Sequence, residues 1–405
     1  MYKKIKTYIK NYFLFKKLIK KKTSAKEIFV VEPYAQNVLI IDDKLPEFDK
    51  DSGSRRLNLI IDILLKNNVG VYLIADFKEY KYKTDYINYY KNKGVIVYQP
   101  YIDNNSLITK TMFIKTILNN ISLVWLHRPL IFKKYYPIIR EYNKKIKIAY
   151  DMVDFHFMRM NREADLKNDE KLKQDAFKFL KIELENCKKA DKVIVISQTD
   201  MQNLLQYYYN QSKMVTISNI HNFIKNNLEY KPFSKRKDLL FVGSFDHLPN
   251  IDAVKHLCEI IMPMIWKNNS EIKLKIIGSN PTQEILNLRN KKIEILGYVE
   301  DLSSFFNTSK LFVAPLRYGA GIKGKIGQSM EYGLPLITTT IGAEGFNFFD
   351  CHKFIVEDDE EIFAKKILAV YNNENLWNSL SKNSETTLKP FSEKTITESI
   401  LNLIE

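Results

Sequence analysis

The segment Arg317-Tyr-Gly-Ala-Gly-Ile-Lys-Gly-Lys-Ile-Gly-Gln328 concentrates residue types suited to gripping an anion. Gly319, Gly321 and Gly324 leave the backbone N–H groups open to close approach. Lys323 and Lys325 bring full positive charges to the same spot. An apolar run, Leu311 to Leu316, precedes the segment and reads as a buried strand, while Ile326 to Tyr332 reads as the start of a helix. A turn from strand into helix can hold a phosphate or diphosphate, because unpaired N–H groups and the helix dipole both point at it. Gly319, Gly324 and Lys325 also satisfy Gly-x-x-x-x-Gly-Lys, the phosphate loop of nucleotide hydrolases. Ile326, however, stands where that loop needs Ser or Thr to hold Mg²⁺, which argues against an NTPase.

A second chemical group lies at mid-chain. Asp151, Asp154 and His156 follow the strand Lys147 to Tyr150. If that strand runs on to Asp154, alternation sets Asp154 and His156 on one side. A carboxylate beside an imidazole is a workable acid/base pair that could activate an acceptor hydroxyl. Arg159 and Arg162 suit an anionic acceptor or a pyrophosphate; the plainer reading pairs them with Glu163 or Asp165 on a helix surface. Asp49-Lys-Asp51 has the look of an Asp-x-Asp metal motif, but Asp51 or Ser52 as a helix-start residue accounts for it. No histidine or further carboxylate cluster completes a metal site, so no metal and no other cofactor is expected.

Short apolar strands must position these groups. Asn37–Ile41, Val69–Ile74, Gly94–Tyr98, Ser122–Leu126, Lys147–Tyr150, Lys192–Ile196 and Met214–Ile217 alternate with helical patterns. The rhythm restarts with Asp238–Gly243, a long amphipathic helix from Pro249 to about Lys267, and strands at Lys273–Gly278, Ile293–Leu296, Leu311–Pro315, Pro335–Thr339 and Phe354–Val356. Alternation of this kind predicts α/β architecture: two doubly wound Rossmann-like domains, each a parallel sheet covered on both faces. Ligands of such sheets bind outside the carboxyl ends of the strands, where the Lys323 loop also falls. The expected divisions are a basic segment at 1–26, a first Rossmann-like domain at 27–228, a second at 229–388 and a last helix at 389–405, with a polar linker at 222–236.

With 405 residues the chain is long enough for two domains of ordinary size. Cys187, Cys258 and Cys351 are far apart and lack metal-ligand spacing, which suits a reducing compartment. The formal net charge is +15, and part of it is local: no acidic residue precedes Glu27, while lysines crowd the first 22 positions. Ile5, Tyr8, Ile9, Tyr12 and Phe13 fall at helical spacing there, so the segment reads either as a basic amphipathic helix for an anionic membrane surface or as a solvated tail. It lacks the apolar length and cleavage site of a signal peptide, and no run is long enough to span a bilayer. The expected location is cytoplasmic, with the membrane's inner face as a peripheral site. No helix-turn-helix, zinc knuckle or RNP-like pattern accompanies the charge, so nucleic acid is not an expected partner.

Further motifs carry a family resemblance. Phe241-Val-Gly-Ser-Phe-Asp-His-Leu-Pro-Asn250, Ile276-Ile-Gly278, Leu296-Gly-Tyr-Val-Glu-Asp301, Ala314-Pro-Leu316, Gly319-Ala-Gly-Ile-Lys-Gly-Lys325, Gly333-Leu-Pro335 and Gly342-Ala-Glu-Gly345 occur in the order and spacing of the family-4 type of GT-B glycosyltransferase (glycosyl transferases group 1). In the first half, Asp49–Arg55, Tyr150–His156, Arg159, Arg162-Glu163 and Ala190–Ser197 resemble a bacterial subgroup linked to surface-polysaccharide assembly, lipopolysaccharide and capsule included. The resemblance covers nearly the whole chain after Asn37.

The resemblance implies the GT-B fold, its two domains facing a cleft, with the last helix returning to the N-terminal domain. It implies metal-independent hexosyl transfer from a nucleotide-diphosphate sugar to the hydroxyl of a glycan or lipid-linked acceptor, with retention at the anomeric carbon. Donor binding falls to Gly243, Gly319, Gly321, Lys323, Lys325, Gln328 and Glu344. Gly53, Arg55, Arg159 and Arg162 fall on the acceptor side of the cleft, with Asp154 and His156 as the catalytic pair. The family often carries glutamates at the positions that read Ala320 and Gln328 here. Glu331, one helical turn beyond Gln328, reads as a helix-surface residue. The substitutions keep two alternatives open: a non-catalytic nucleotide-sugar-binding scaffold and a sugar-nucleotide epimerase of the same fold.

Overall fold

The computed structural model describes residues 11–13, 15–16, 34–76, 84–224 and 231–405. Apart from those few residues, the basic segment at 1–26 and the helix expected in it lie outside the described residues.

Seven parallel strands build the N-terminal sheet in the order β3-β2-β1-β6-β7-β8-β9. They are β1 (Gln36–Asp42), β2 (Val69–Ala75), β3 (Ile96–Val97), β6 (Leu123–His127), β7 (Lys147–Asp151), β8 (Lys192–Val195) and β9 (Met214–Thr216). Between β3 and β6 sits a small antiparallel hairpin, β4 (Tyr101–Asp103) and β5 (Ser106–Ile108). The C-terminal sheet has five parallel strands, ordered β12-β11-β10-β13-β14. These are β10 (Lys237–Val242), β11 (Leu274–Ile277), β12 (Ile293–Gly297), β13 (Ser309–Ala314) and β14 (Leu336–Thr338). β1 and β2 are buried almost from end to end, which is why they read as unbroken apolar runs: helices cover both faces. One core lies on each face of the N-terminal sheet, and a third fills the C-terminal domain.

The last helix, Glu393–Ile404, buries Ile396, Ile400 and Leu403 in the N-terminal core beside Val38 and Leu57. The chain thus crosses back to the domain it started from. Three local readings differ from expectation. Phe354–Val356 is not a strand: His352–Ile355 is helical, and Val356 makes one bridge to Thr338. β14 is only three residues long, so it offers little edge to extend. The helix expected from Pro249 to Lys267 carries a π turn at Leu257–Ile261. Pro263 follows at once; it has no N–H to donate one turn back, and the widened turn absorbs that loss. The hairpin went unread in the sequence, although Asn104 and Asn105, at φ 44° and 59°, are the residue type a tight hairpin turn favours.

Candidate functional site

β13 ends at Ala314, and the chain turns through the glycine-rich loop into the helix Gly324–Glu331. Gly319 and Gly321 adopt φ of 149° and 70°, which a side chain would resist. Lys323 occupies the helix N-cap without a side-chain cap hydrogen bond, so the N–H groups of the first turn lack that partner. Its ammonium turns back to donate to Gly321 O at 2.7 Å and to Glu344 Oε2 at 3.1 Å. Burial pushes the Lys323 pKa down, against the opposing pull of Glu344. Lys325 donates to the neutral Gln328 Oε1 at 2.9 Å. Burial, with the nearby Arg55 charge, lowers its pKa to about 8.

The loop glycines also seat the two domains against each other. A Cβ on Gly321 would lie 2.8 Å from Ile196 Cδ1, and one on Gly324 2.6 Å from Ser52 Cβ. One on Gly327 would run into the His221 ring. Polar contacts cross the same seam. Arg55 grips both oxygens of Glu331 at 2.9 and 3.0 Å, and His221 Nδ1 meets that carboxylate at 2.6 Å. Arg162 grips both oxygens of Glu344 at 2.6 and 3.0 Å and donates to Gly319 O at 2.7 Å. The Tyr298 hydroxyl donates to Asp49 Oδ2 at 2.5 Å. Glu331 is therefore buried at the domain seam rather than on a helix surface, because Arg55 and His221 supply the partners a buried carboxylate needs.

On the N-terminal wall, β7 stops at Asp151, short of Asp154, so strand alternation does not bring Asp154 and His156 together. A turn does. Val153 adopts φ 64°, a strained conformation for a β-branched residue, and its N–H donates to Asp151 Oδ1 at 3.0 Å. The helix His156–Lys167 then starts. Asp154 Oδ1 lies 2.8 Å from His156 Nδ1, and Asp154 Oδ2 accepts from Arg159 Nε at 2.9 Å. Burial opposes the charge on Asp154, but His156 and Arg159 hold its pKa far below the usual carboxylate range. Burial likewise opposes the charge on His156, yet Asp154 and Glu183 raise its pKa to about 9. At neutral pH the pair is an imidazolium beside a carboxylate, not a free base. Behind it, Asp151 is fully buried and accepts from Arg56 and from Trp125 Nε1, both at 2.9 Å.

Between the walls lies a cleft of about 500 Å³. Gly53, Asp154, His156, Arg159, Gly243, Gly319, Lys323 and Lys325 line it, with Ala320 among them. Arg55 and Gln328 line a small adjoining pocket. Gly321, Arg162 and Glu344 stand behind the lining, in the seam just described. A Cβ on Gly53 would meet nothing closer than 3.5 Å, so packing within the chain does not require glycine there. One on Gly243 would lie 2.8 Å from Asn250 Cγ. Asp51 caps the helix Ser52–Lys66 through Ser54 N at 2.8 Å and pairs with Lys44 at 2.7 Å. Asp49 instead accepts from Tyr86 and Tyr298, so the two carboxylates serve different partners.

The sequence reading passed over two cleft residues. His247 lines the C-terminal wall, and burial, with Arg159 nearby, lowers its pKa and keeps it neutral. Arg128, at φ 67°, lines the other wall and pairs with Asp42 at 2.8 Å and Asp43 at 3.2 Å. His247 falls inside the Phe241–Asn250 motif with no separate signal of its own; Arg128 stands before Pro129 at a strand's carboxyl end, which is the signal that could have found it.

Charge is unevenly matched across the cleft. On the N-terminal wall, Arg56 has Asp151, Arg128 has Asp42 and Asp43, Lys44 has Asp51, and Arg159 and His156 share Asp154. Around the loop, Arg55, Arg162, Lys323 and Lys325 face Glu331 and Glu344, and among the described residues Lys325 has no ion-pair partner. Asp200, beneath Lys323, is hydrogen-bonded by Ser197, and burial raises its pKa to about 6. The surplus of positive charge sits at the glycine-rich loop.

Comparison with known proteins agrees with this layout. Residues 236–373 match the family model of the glycosyl transferases group 1. A 44.6 kDa uncharacterized protein in the cps region of Klebsiella pneumoniae is 26% identical over 209 residues, covering 49% of this chain and 51% of that one. The match thus spans about half the length of that relative. Among solved structures, TarM superposes with a TM-score of 0.67 at 12% identity, covering 92% of this chain and 99% of its own. Sucrose-phosphate synthase from Thermosynechococcus elongatus gives 0.68 at 13% identity, covering 91% and 98%. Anabaena HepE in complex with UDP and glucose gives 0.63 at 12% identity, covering 91% and 98%. Residues 236–373 are thus similar to the glycosyl transferases group 1, and over its length the chain has the two-domain GT-B fold of those solved structures.

Proposed function

We propose that this chain transfers a sugar from a nucleotide-diphosphate donor to a hydroxyl acceptor in the assembly of a bacterial surface polysaccharide. The observation that carries the reading is the surplus positive charge at an uncapped helix N-terminus, beside a cleft between two Rossmann-like domains. The cps-region relative and the UDP complex of HepE support it. The donor's diphosphate lies along Lys323, Lys325 and the first turn of the helix Gly324–Glu331, where it needs no metal. Departure of the nucleoside diphosphate builds negative charge at that point, and preorganised cations stabilise it most when the sugar–phosphate bond is breaking. His156 contributes an imidazolium rather than a base. Asp154 occupies Nδ1, which leaves Nε2 as the nitrogen that can donate to the reacting group. The acceptor is a glycan, free or lipid-linked, and transfer proceeds with retention.

Thermal unfolding of the protein with UDP-, GDP-, dTDP- and CMP-sugars tests the donor, because a ligand of the folded state alone raises the melting temperature. Absence of a shift with all of them would refute the reading. Ala320 and Gln328 favour a second reading, a nucleotide-sugar-binding scaffold. Binding without donor hydrolysis or transfer across a panel of acceptors would support it.

Donor binding is also expected to depend on pH through Lys325. Its pKa of about 8 in the empty cleft reflects burial, then Arg55, set against Glu331, Asp51 and Asp49. A bound diphosphate raises that pKa, so complex formation takes up a proton once the free lysine is deprotonated. Affinity should be flat below pH 8 and fall above it, by up to about tenfold per pH unit. Calorimetry at pH 8.5 in buffers of different ionisation enthalpy reads this proton uptake directly. Lys325→Met should abolish it, and equal enthalpies for the wild type would disprove it.

A further inference from the structure

We propose that Glu344 is a placeholder for the donor's phosphate: its carboxylate neutralises Lys323 while the cleft is empty, and the donor displaces it on binding. The inference rests on the reading of Lys323 as a phosphate ligand. Lys323 and Glu344 are each only 13% exposed, so the ammonium could not stay charged here without an anion. Glu344 supplies one, and it comes from outside the cleft lining, whereas Lys323 belongs to that lining.

The geometry makes the exchange easy. Arg162 holds Glu344 through both carboxylate oxygens, at 2.6 and 3.0 Å, while Lys323 reaches only one of them, at 3.1 Å. A two-point fork from an arginine is the stronger bond. Losing Lys323 therefore leaves Glu344 well partnered, with no buried charge stranded. Arg162 also donates to Gly319 O, so the group that keeps Glu344 is fastened to the same loop. Lys325 presents the contrast, since its partner Gln328 is neutral and has no charge to surrender. One lysine is thus held in place by an internal anion that the ligand must replace, and the other waits without one. Glu344 acts through Lys323 and is a positioning residue.

A placeholder competes with the ligand, so removing its charge must strengthen binding. A residue that only supports the fold or touches the donor would do the opposite when replaced. Calorimetry with inorganic pyrophosphate and with UDP separates the two. Glu344→Gln is expected to bind both about fivefold more tightly than the wild type. Arg162→Gln, which leaves Glu344 to Lys323 alone, is expected to bind them more weakly. Lys323→Ala should lose binding in both the wild-type and Glu344→Gln backgrounds. If Lys323→Ala abolishes binding while Glu344→Gln weakens it or leaves it unchanged, the placeholder idea is overturned and the phosphate role of Lys323 survives. If Lys323→Ala binds both ligands like the wild type, the donor-site reading itself fails. Should Glu344→Gln not fold, Glu344→Ala decides by the same reading: tighter binding supports the proposal, and equal or weaker binding overturns it.

Discussion

Lys323→Ala should lower kcat/KM for the sugar donor by about 10²–10³-fold, the usual cost of removing one preorganised charge partner from a transition state. The effect is large because Lys323 is desolvated by the loop and by the domain seam, and charges act more strongly where water is excluded. The fold should survive the change. Glu344 keeps both bonds to Arg162, so the substitution leaves no buried carboxylate unpaired. Thermal unfolding should therefore differ little from the wild type, while steady-state kinetics collapse. Wild-type kcat/KM in a correctly folded Lys323→Ala protein would rule out its role at the diphosphate. Lys323→Arg should recover part of the loss, since the charge returns but the planar guanidinium does not fit the turn back to Gly321 O.

The largest stability effect is expected at Asp151→Asn, about 3–5 kcal/mol, the range for breaking a buried ion pair on one side. Asp151 is fully buried, and Arg56 is 2% exposed. Neutralising the carboxylate strands the guanidinium, whose Nε already has no hydrogen-bond partner in the structure. The melting temperature should fall by on the order of 10 °C, read by calorimetry or circular dichroism. A loss smaller than about 1 kcal/mol would contradict the assigned burden. Arg56→Met added to Asp151→Asn should restore part of the stability, because a fully apolar replacement leaves no stranded charge.

The same residue also shapes the turn before His156. Asp151 Oδ1 accepts from Val153 N–H and so holds the left-handed turn that presents Asp154. The pH dependence follows by sign. Burial raises the Asp151 pKa, but Arg56 and His127 outweigh it and depress the folded value. Its contribution is therefore present above the unfolded carboxylate range near pH 3.8 and is lost on acidification below it. His156 runs the other way. Its folded pKa of about 9 exceeds the ordinary 6.5, so its contribution is complete below pH 6.5 and disappears as pH rises through 9.

Much of the fold was legible because it depends on local pattern. Runs such as Val38–Ile41 and Val71–Ile74 are buried on both sides of a sheet, and only continuous apolar sequence satisfies that position. The glycine-rich loop was legible for a related reason. Gly319 and Gly321 need backbone angles that other residues resist, and lysines beside them are hard to explain by packing. The placing of Asp154 beside His156 came from the right residues by the wrong route. Strand alternation was the expected cause, whereas a strained turn at Val153 does the work, and nothing about valine announces a positive φ.

Partnership between distant residues was beyond reach. The sequence shows Arg55, Arg162, Glu331 and Glu344 as charged residues on helices or loops, with no sign that 276 positions separate one bonded pair and 182 the other. Glu331 illustrates the limit: helical spacing put it on a surface, and only the approach of the N-terminal domain buries it.

By itself, then, the amino-acid sequence determined two parallel α/β domains, a glycine-rich, lysine-bearing loop at a strand's carboxyl end and the residue types around it. These follow from backbone conformation and from periodic burial, which act over a few residues. Tertiary structure alone decided which charges are already spent. Lys323 is paired with Glu344, Lys325 has no ion-pair partner among the described residues, and His156 is a cation rather than a base. Those states arise from desolvation and from ion pairs made inside each folded domain, Lys323 with Glu344 in one and His156 with Asp154 and Glu183 in the other.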